Sequence, residues 1–299
     1  MSQLTNFICV GAQKSGTTTL HDILNQHPEI CLPKDKETKF FQRDDRFNMG
    51  LEYYKEHFSV NLNHKIIGEI DPEYMYFNYV PKRIFETLGA DIKLIFLLRN
   101  PIDRAFSHYL MSKRRGYEDY PFTEAILMET DRISQDDSQS DFSDSNCLNF
   151  SYIDRGYYSR QIKEYLKYFK KENMLFILFE DDLISNRAIA VNKILSFLEI
   201  STELKGDIYL KSNVKGMYRY KRLAKFCNQP NFIKSGIKYF LPNSIRIRFK
   251  ALINKMNHTK LVKDKISDYE KKHILNKYYR DEISDLEVLI NRSLNNWYN

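Results

Sequence analysis

The sequence predicts an α/β fold, a parallel sheet flanked by helices, and three observations carry that prediction. Four short apolar runs, 7–11, 65–70, 93–98 and 174–179, read as strands buried on both faces, each bounded by helical or turn-like sequence. Stretches such as 102–114 and 157–170 space aromatic and aliphatic residues three or four apart, as a helix with one buried face requires. Strands and helices alternate, which implies a parallel sheet covered on both sides. With 299 residues and 42% apolar composition the chain has ample material for a core. It could hold one large domain or two small ones. The reading adopted is one domain over 1–299, with a core over about 5–216 and a basic, mainly helical extension over about 217–299.

Composition narrows the classes. Nowhere do 18 apolar residues run together, and the first residues show no charged stretch followed by an apolar one, so the expectation is a soluble, unsecreted protein. Cys9, Cys31, Cys147 and Cys227 lie far apart, without the paired spacings of a zinc site or disulfide framework, and are expected as reduced, buried thiols. The seven histidines include no His-x-x-x-His or His-Glu-x-x-His arrangement, so no metal is expected. The net charge of +7 is unevenly spread: residues 205–265 hold sixteen Lys or Arg against two Asp, which is +14, leaving −7 elsewhere. Such asymmetry marks a surface that attracts an anion, whether nucleotide, acidic glycan or membrane headgroup, or a solvated basic face.

Segment 131–149, rich in Ser, Asp, Asn and Gln, reads as an exposed loop interrupting the strand–helix alternation. After residue 198 strands are expected to stop, and helical patterns such as 269–294 finish the chain. No internal repeat is visible.

The most informative stretch is Phe7-Ile8-Cys9-Val10-Gly11-Ala12-Gln13-Lys14-Ser15-Gly16-Thr17-Thr18-Thr19-Leu20. A strand feeds a small-residue loop and then a helix, the arrangement that converges backbone N–H groups and the positive end of a helix on one anion. Gly11 and Gly16 have the separation of a nucleotide-triphosphatase loop, but Thr17 stands where its lysine belongs, and the only lysine, Lys14, lies inside the loop. The second strand, 93–98, ends in Arg99 rather than an acid that would hold Mg²⁺. Both departures favour an anionic ligand held by cations and hydroxyls over a metal-bound triphosphate. The plainer alternative is a tight turn without a ligand.

The second motif is Lys93-Leu94-Ile95-Phe96-Leu97-Leu98-Arg99-Asn100-Pro101-Ile102-Asp103-Arg104-Ala105-Phe106-Ser107-His108-Tyr109. Asn100 is expected to cap a helix that opens on Pro101. Arg99 then lies at the strand's carboxyl end, where open α/β sheets gather ligands, and with Ser107 could hold one phosphate. Arg104 is assigned a structural part.

Together, Gln-Lys-Ser-Gly-Thr-Thr-Thr-Leu and Leu-Arg-Asn-Pro-Ile-Asp-Arg-Ala-Phe-Ser-His-Tyr resemble the 5′-phosphosulfate and 3′-phosphate loops of sulfotransferases that use 3′-phosphoadenosine-5′-phosphosulfate (PAPS). Glu69-Ile70-Asp71-Pro72-Glu73-Tyr74, Gly156-Tyr157-Tyr158 and Phe176-Ile177-Leu178-Phe179-Glu180-Asp181-Asp182-Leu183 resemble the glycan-modifying branch, typified by heparan sulfate sulfotransferases and bacterial relatives. The likeness covers residues 7–216, about two thirds of the chain. It implies the P-loop-like sulfotransferase fold and a donor site in which Lys14, Ser15, Gly16, Thr17, Thr18 and Thr19 meet the 5′-phosphosulfate. Arg99 and Ser107 would meet the 3′-phosphate, and Lys215 and Gly216 would close over the nucleotide. It also implies a catalytic base, Glu37, in Lys36-Glu37-Thr38-Lys39-Phe40-Phe41, with Lys14 offsetting charge on the leaving phosphate.

His108 is the alternative base, as histidine is in the cytosolic sulfotransferases of phenols and steroids, although its place beside Ser107 favours packing. His27, before Pro28, reads as a helix ending. Ile70 stands where the heparan sulfate 3-O-sulfotransferases carry a lysine, which bears on the acceptor rather than the donor. The likeness implies a glycan or glycolipid acceptor. The lack of a visible membrane anchor leads to the expectation of a cytoplasmic, bacterial protein, and no nucleic-acid partner is expected. Two rivals stay open: a P-loop kinase or NTPase, and a non-catalytic protein binding polyanions or membranes peripherally through 205–265.

Overall fold

In a computed structural model of the chain, the residues described are 5–134, 145–201, 206–209, 217–218, 258–259 and 265–298. They form two compact units: Met1–Arg104, Arg155–Ser212 and Lys277–Asn299 make the first, Ala105–Asp154 and Asn213–Asn276 the second.

The first unit is built on five parallel strands, β1 (Phe7–Gly11), β2 (Ile30–Cys31), β3 (Ile66–Ile70), β4 (Lys93–Leu98) and β5 (Met174–Leu178), in the order β2-β3-β1-β4-β5. Four of them occupy the four apolar runs. The fifth, β2, is two residues long and too short to register as a run. Side chains alternate between the two faces, as the period of a strand dictates. Phe7, Cys9, Ile70, Ile95, Leu97, Leu175 and Ile177 pack with Leu20, Ile23 and Leu24 of helix α1 (Thr17–Leu24). Ala190, Val191, Ile194 and Leu195 of a later helix, Arg187–Phe197, join the same core.

Four further helices fall before residue 116: α2 (Asp44–Phe47), α3 (Gly50–Lys55), α4 (Val80–Leu88) and α5 (Pro101–Arg115). On the other face of the sheet Phe96 meets the ring of Tyr165 edge-on at 5.2 Å, and Tyr165 belongs to the helix Tyr158–Leu166.

The chain leaves β1 for β2 and β3 on one side, then crosses to β4 on the other. The crevice between the carboxyl ends of β1 and β4 is therefore the point where strand order reverses, the usual ligand position in such sheets. The start of α5 is as the sequence indicates: Asn100 Oδ1 accepts from the N–H groups of Ile102 at 3.0 Å and Asp103 at 3.4 Å, and Pro101 is its first residue. His27, expected at a helix ending, follows α1 by three residues, and its Nε2 donates to Ser201 O at 3.0 Å.

In the second unit α6 (Phe122–Leu127), α7 (Glu129–Ser134) and α8 (Asn146–Phe150) accompany the greater part of α5. Two buried acids order it. Glu118 takes Arg132 Nη1 at 2.6 Å and Tyr152 OH at 2.9 Å, and Glu129 accepts from the N–H groups of Ile153 and Asp154, both at 2.7 Å. The expected exposed loop at 131–149 is corrected at its two ends, since residues 131–134 and 146–149 are helical and Leu148 and Asn149 are buried, while 135–144 lie outside the described residues. A second correction concerns strands beyond 198: β6 (Met217–Tyr218) and β7 (His258–Thr259) pair antiparallel. Two-residue strands carry too little apolar pattern to be read from sequence.

The helix Tyr158–Leu166 is α9 and Arg187–Phe197 is α10. The pattern at 269–294 resolves into α11 (Asp268–Ile274), a π turn over Leu275–Tyr279 and α12 (Arg280–Ile290). α12 packs on α9, where Glu282 accepts from Ser159 N–H at 2.6 Å and Ser159 Oγ at 2.7 Å. Cys9 and Cys31 are buried free thiols, and burial pushes Cys9 up to about 12, whereas Cys147 is only half-buried. Among the described residues no helix is long and apolar enough to cross a membrane.

Candidate active site at the carboxyl edge of the sheet

Between β1 and α1 the backbone takes positive φ at Gly11 (139°), Lys14 (72°) and Gly16 (94°). Glycine is required at two of these positions for space as well: a Cβ on Gly16 would lie 2.9 Å from the Phe179 ring, and one on Gly11 2.8 Å from Pro72 O. Gly16 occupies the N-cap position of α1, and no side-chain hydrogen bond caps the helix. The first-turn N–H groups have no intrahelical acceptor, so the positive end of α1 is presented at the sheet edge. Thr17 is buried, Thr18 exposed and Thr19 half-buried, as is Lys14. Ser15 is fully buried, its N–H donating to Ala12 O at 3.3 Å. Its Oγ has no hydrogen-bond partner among the described residues, and neither has Gln13 Oε1.

Arg99 closes β4 and turns toward this loop, donating from Nη1 to Lys14 O at 2.9 Å. Its guanidinium carbon lies 4.8 Å from the centroid of Phe179, and Nε is 3.8 Å from Glu180 Oε1. Glu180 in turn accepts from Asn100 N–H at 3.2 Å, and burial holds its carboxyl above the ordinary range even with Arg99 nearby. Tyr158 OH donates to Arg99 O at 2.9 Å, and burial pushes that phenol up to about 12. Arg104, assigned a structural part, is fully buried.

Glu37 sits in the segment preceding two buried phenylalanines. Phe40 stacks on Tyr54 at 4.7 Å and Phe41 meets Tyr74 edge-on at 5.6 Å, which anchors the segment. Upstream of that anchor Thr38 donates from N–H to Glu69 Oε1 at 2.9 Å, and its hydroxyl donates to the same oxygen. Tyr54 OH and Tyr74 OH also donate to Glu69, at 2.9 and 3.1 Å. Lys39 N–H donates to Asp71 Oδ2 at 3.2 Å. Glu37 itself is half-buried, 3.0 Å from Lys36 Nζ. Burial, then the Glu37 charge, pushes the Asp71 carboxyl well above the usual carboxylate range.

The profile of the sulfotransferase domain family matches residues 4–236. The chain belongs to that family. A human protein named heparan sulfate glucosamine 3-O-sulfotransferase 5 is 24% identical over 221 residues, 73% of this chain and 60% of that protein. The chain thus spans about 60% of the length of that relative. The membrane-associated sulfotransferase kil1 of Dictyostelium discoideum is 40% identical over 139 residues, 44% of this chain and 29% of that protein. Among solved structures, a sulfotransferase from Alicyclobacillus acidocaldarius superposes with a TM-score of 0.66 at 25% identity, covering 99% of this chain and all of that one. Mouse sulfotransferase SULT7A1, solved with PAP, shares the fold, with a TM-score of 0.52 at 14% identity over 97% of this chain and 88% of that one.

In this sulfotransferase-family chain the first unit brings together Lys14, Gly16, Thr17, Thr18 and Arg99 on the edge shared by β1 and β4. Ser107 is half-buried on α5 in the second unit, and its neighbour His108 is fully buried and donates from Nε2 to Leu148 O at 3.0 Å. That bond ties His108 to α8. Lys215 and Gly216, and most of the basic stretch 205–265, lie outside the described residues. Ile70, at the position where a lysine would be expected from the 3-O-sulfotransferase pattern, is fully buried in the sheet core. Sequence reasoning missed Gln13, Glu73, Arg155 and Glu180 as parts of the site's frame. Gln13, Glu73 and Glu180 lie inside the motifs quoted above and Arg155 immediately precedes one, but the pairings themselves join residues 60 or more positions apart and leave no local signal.

Proposed function

We propose that the chain transfers a sulfuryl group from PAPS to a hydroxyl or amine of a carbohydrate acceptor. The observation that carries this reading is the uncapped N-terminus of α1 at Gly16, flanked by Lys14 and by Arg99 bonded to the Lys14 carbonyl. The residues suit a phosphosulfate: peptide N–H groups, the Lys14 ammonium, threonine hydroxyls and a loop whose glycines leave no room for a Cβ. PAPS supplies the activated sulfuryl group when bound. Glu37 takes the proton of the acceptor's O–H as the new oxygen–sulfur bond forms, and the electron pair of the breaking bond leaves with the 5′-phosphate. The Lys14 ammonium offsets the charge that grows there, and the α1 N-terminus shares that task. Arg99 holds the 3′-phosphate.

A carbohydrate acceptor is supported by the relatives named for heparan sulfate. The buried Ile70 supports an acceptor other than theirs, because β3 offers no cation at that position.

Calorimetry with adenosine 3′,5′-bisphosphate (PAP), compared with ADP plus Mg²⁺, tests the reading. Metal-independent PAP binding that is lost in Lys14→Ala and Arg99→Ala is the expected result. Binding of ADP with Mg²⁺ alone would overturn it in favour of a kinase. Transfer of labelled sulfuryl from PAPS to a panel of glycans, with Glu37→Gln as the inactive control, then assigns the acceptor and the base.

A further inference from the structure

One short turn after β3 is bonded at once to the donor loop and to the segment that carries Glu37. Gln13, in the donor loop next to Lys14, is only 8% exposed, and its Nε2 donates to Glu73 Oε1 at 2.6 Å. A carboxylate can only accept, so this contact fixes which end of the amide faces Glu73. Glu73 Oε2 lies 2.6 Å from Arg155 Nη1, and the buried Arg155 guanidinium stacks over Tyr76 with 4.1 Å to the ring centroid. Two residues earlier, Asp71 accepts from Lys39 N–H at 3.2 Å through Oδ2 and from Glu73 N–H at 3.0 Å through Oδ1. The backbone of the same turn is pinned to β1: Asp71 N–H donates to Cys9 O at 3.0 Å and Met75 N–H to Val10 O at 2.7 Å.

Burying two carboxylates and a guanidinium where apolar side chains would pack at lower cost calls for a reason other than stability. We propose that Glu73 and Asp71 are positioning residues that set the separation between Lys14 and Glu37. Glu73 acts through Gln13, with Arg155 as its counter-charge, and Asp71 acts through the Lys39 amide. The inference rests on the proposed roles of Lys14 and Glu37. Its physical basis is the steep penalty for misplacing groups that must act together: a displacement of about 1 Å costs on the order of 100-fold in rate.

The test uses the full chain, with PAP affinity by calorimetry and amide hydrogen exchange over residues 12–19 and 36–41. Glu73→Ala is expected to weaken PAP binding about tenfold, the scale of one lost hydrogen bond, and to speed exchange over 12–19. Glu73→Gln keeps the amide oxygen that accepts from Gln13 but turns its NH₂ toward Arg155, so it should restore part of the affinity, a rescue that a purely structural role would not give. Gln13→Ala removes the same link while leaving the Glu73–Arg155 pair intact. It should reproduce the Glu73→Ala exchange pattern, which keeps the test decisive if Glu73→Ala does not fold. Asp71→Asn should speed exchange over 36–41 and leave PAP affinity unchanged. Wild-type exchange over 12–19 in both Glu73→Ala and Gln13→Ala would overturn the proposal, as would an affinity in Glu73→Gln no better than in Glu73→Ala. If the wild-type chain binds no PAP, the sulfotransferase assignment fails, and the exchange arm alone still decides whether the turn governs the two segments.

Discussion

Arg99 donates from Nη1 to the carbonyl oxygen of Lys14 across 2.9 Å, so the cation that closes one strand holds the loop that follows its neighbour. A lysine at position 99 would keep the charge and lose the planar fork that reaches this carbonyl while also facing a ligand. Arg99→Lys is therefore expected to weaken PAP binding by about 10- to 100-fold, the worth of a charge-assisted hydrogen bond. Calorimetry on the two proteins measures it, and wild-type affinity in the lysine variant would mean that charge alone matters.

Gly16 combines a φ of 94° with the Phe179 ring 2.9 Å from where a Cβ would sit. Gly16→Ala should destabilise the chain by more than about 1 kcal/mol in urea unfolding, because alanine fits neither the dihedral nor the space. PAP binding should fall with it. Adding Phe179→Ala would relieve the clash but not the dihedral, so recovery should be partial.

Glu69 faces four donors and no acceptor: Thr38 N–H, Thr38 Oγ1, Tyr54 OH and Tyr74 OH. Glu69→Gln turns an amide NH₂ toward one of these groups. The expected loss is about 1–3 kcal/mol of stability, with slower sulfuryl transfer because Thr38 adjoins Glu37, and unchanged PAP affinity. Equal losses in PAP affinity and turnover would show that Glu69 supports the whole sheet edge rather than the base segment.

Burial holds the Glu282 carboxyl above its ordinary value despite the two hydrogen bonds from Ser159. A folded state that binds a proton more tightly than the unfolded chain gains stability from that group at low pH. The gain disappears as pH rises through the raised folded value. Glutamine is uncharged throughout. The melting temperature of Glu282→Gln should therefore lag the wild type most at about pH 4, and the gap should narrow toward about pH 7.5. A gap independent of pH would mean that Glu282 titrates alike in both states.

Four strands, the loop after β1 and the cap at Asn100 were legible because each depends on contiguous residues: an apolar run, a pair of glycines, a side chain bonding its own helix start. β2, β6 and β7 were not, since two residues carry no period. Segment 131–149 looked exposed because its polar residues are common, yet Asn149 is buried with its Nδ2 bonded to Ser145 O and its carbonyl accepting from Ser112. At the site, Lys14 and Arg99 could be read from motifs, whereas the link from Gln13 through Glu73 to Arg155 could not. The parallel register of β1 and β3 brings Gln13 and Glu73 together, and Arg155 joins them from the turn before α9, far away in sequence.

The positive end of α1 is made of peptide dipoles, and dipoles have no proton to lose. That part of the donor seat therefore keeps its polarity whatever the acidity, and no side-chain truncation at a hydroxyl or a cation can remove it. Only a change that redirects the backbone itself, as at Gly16, would take it away.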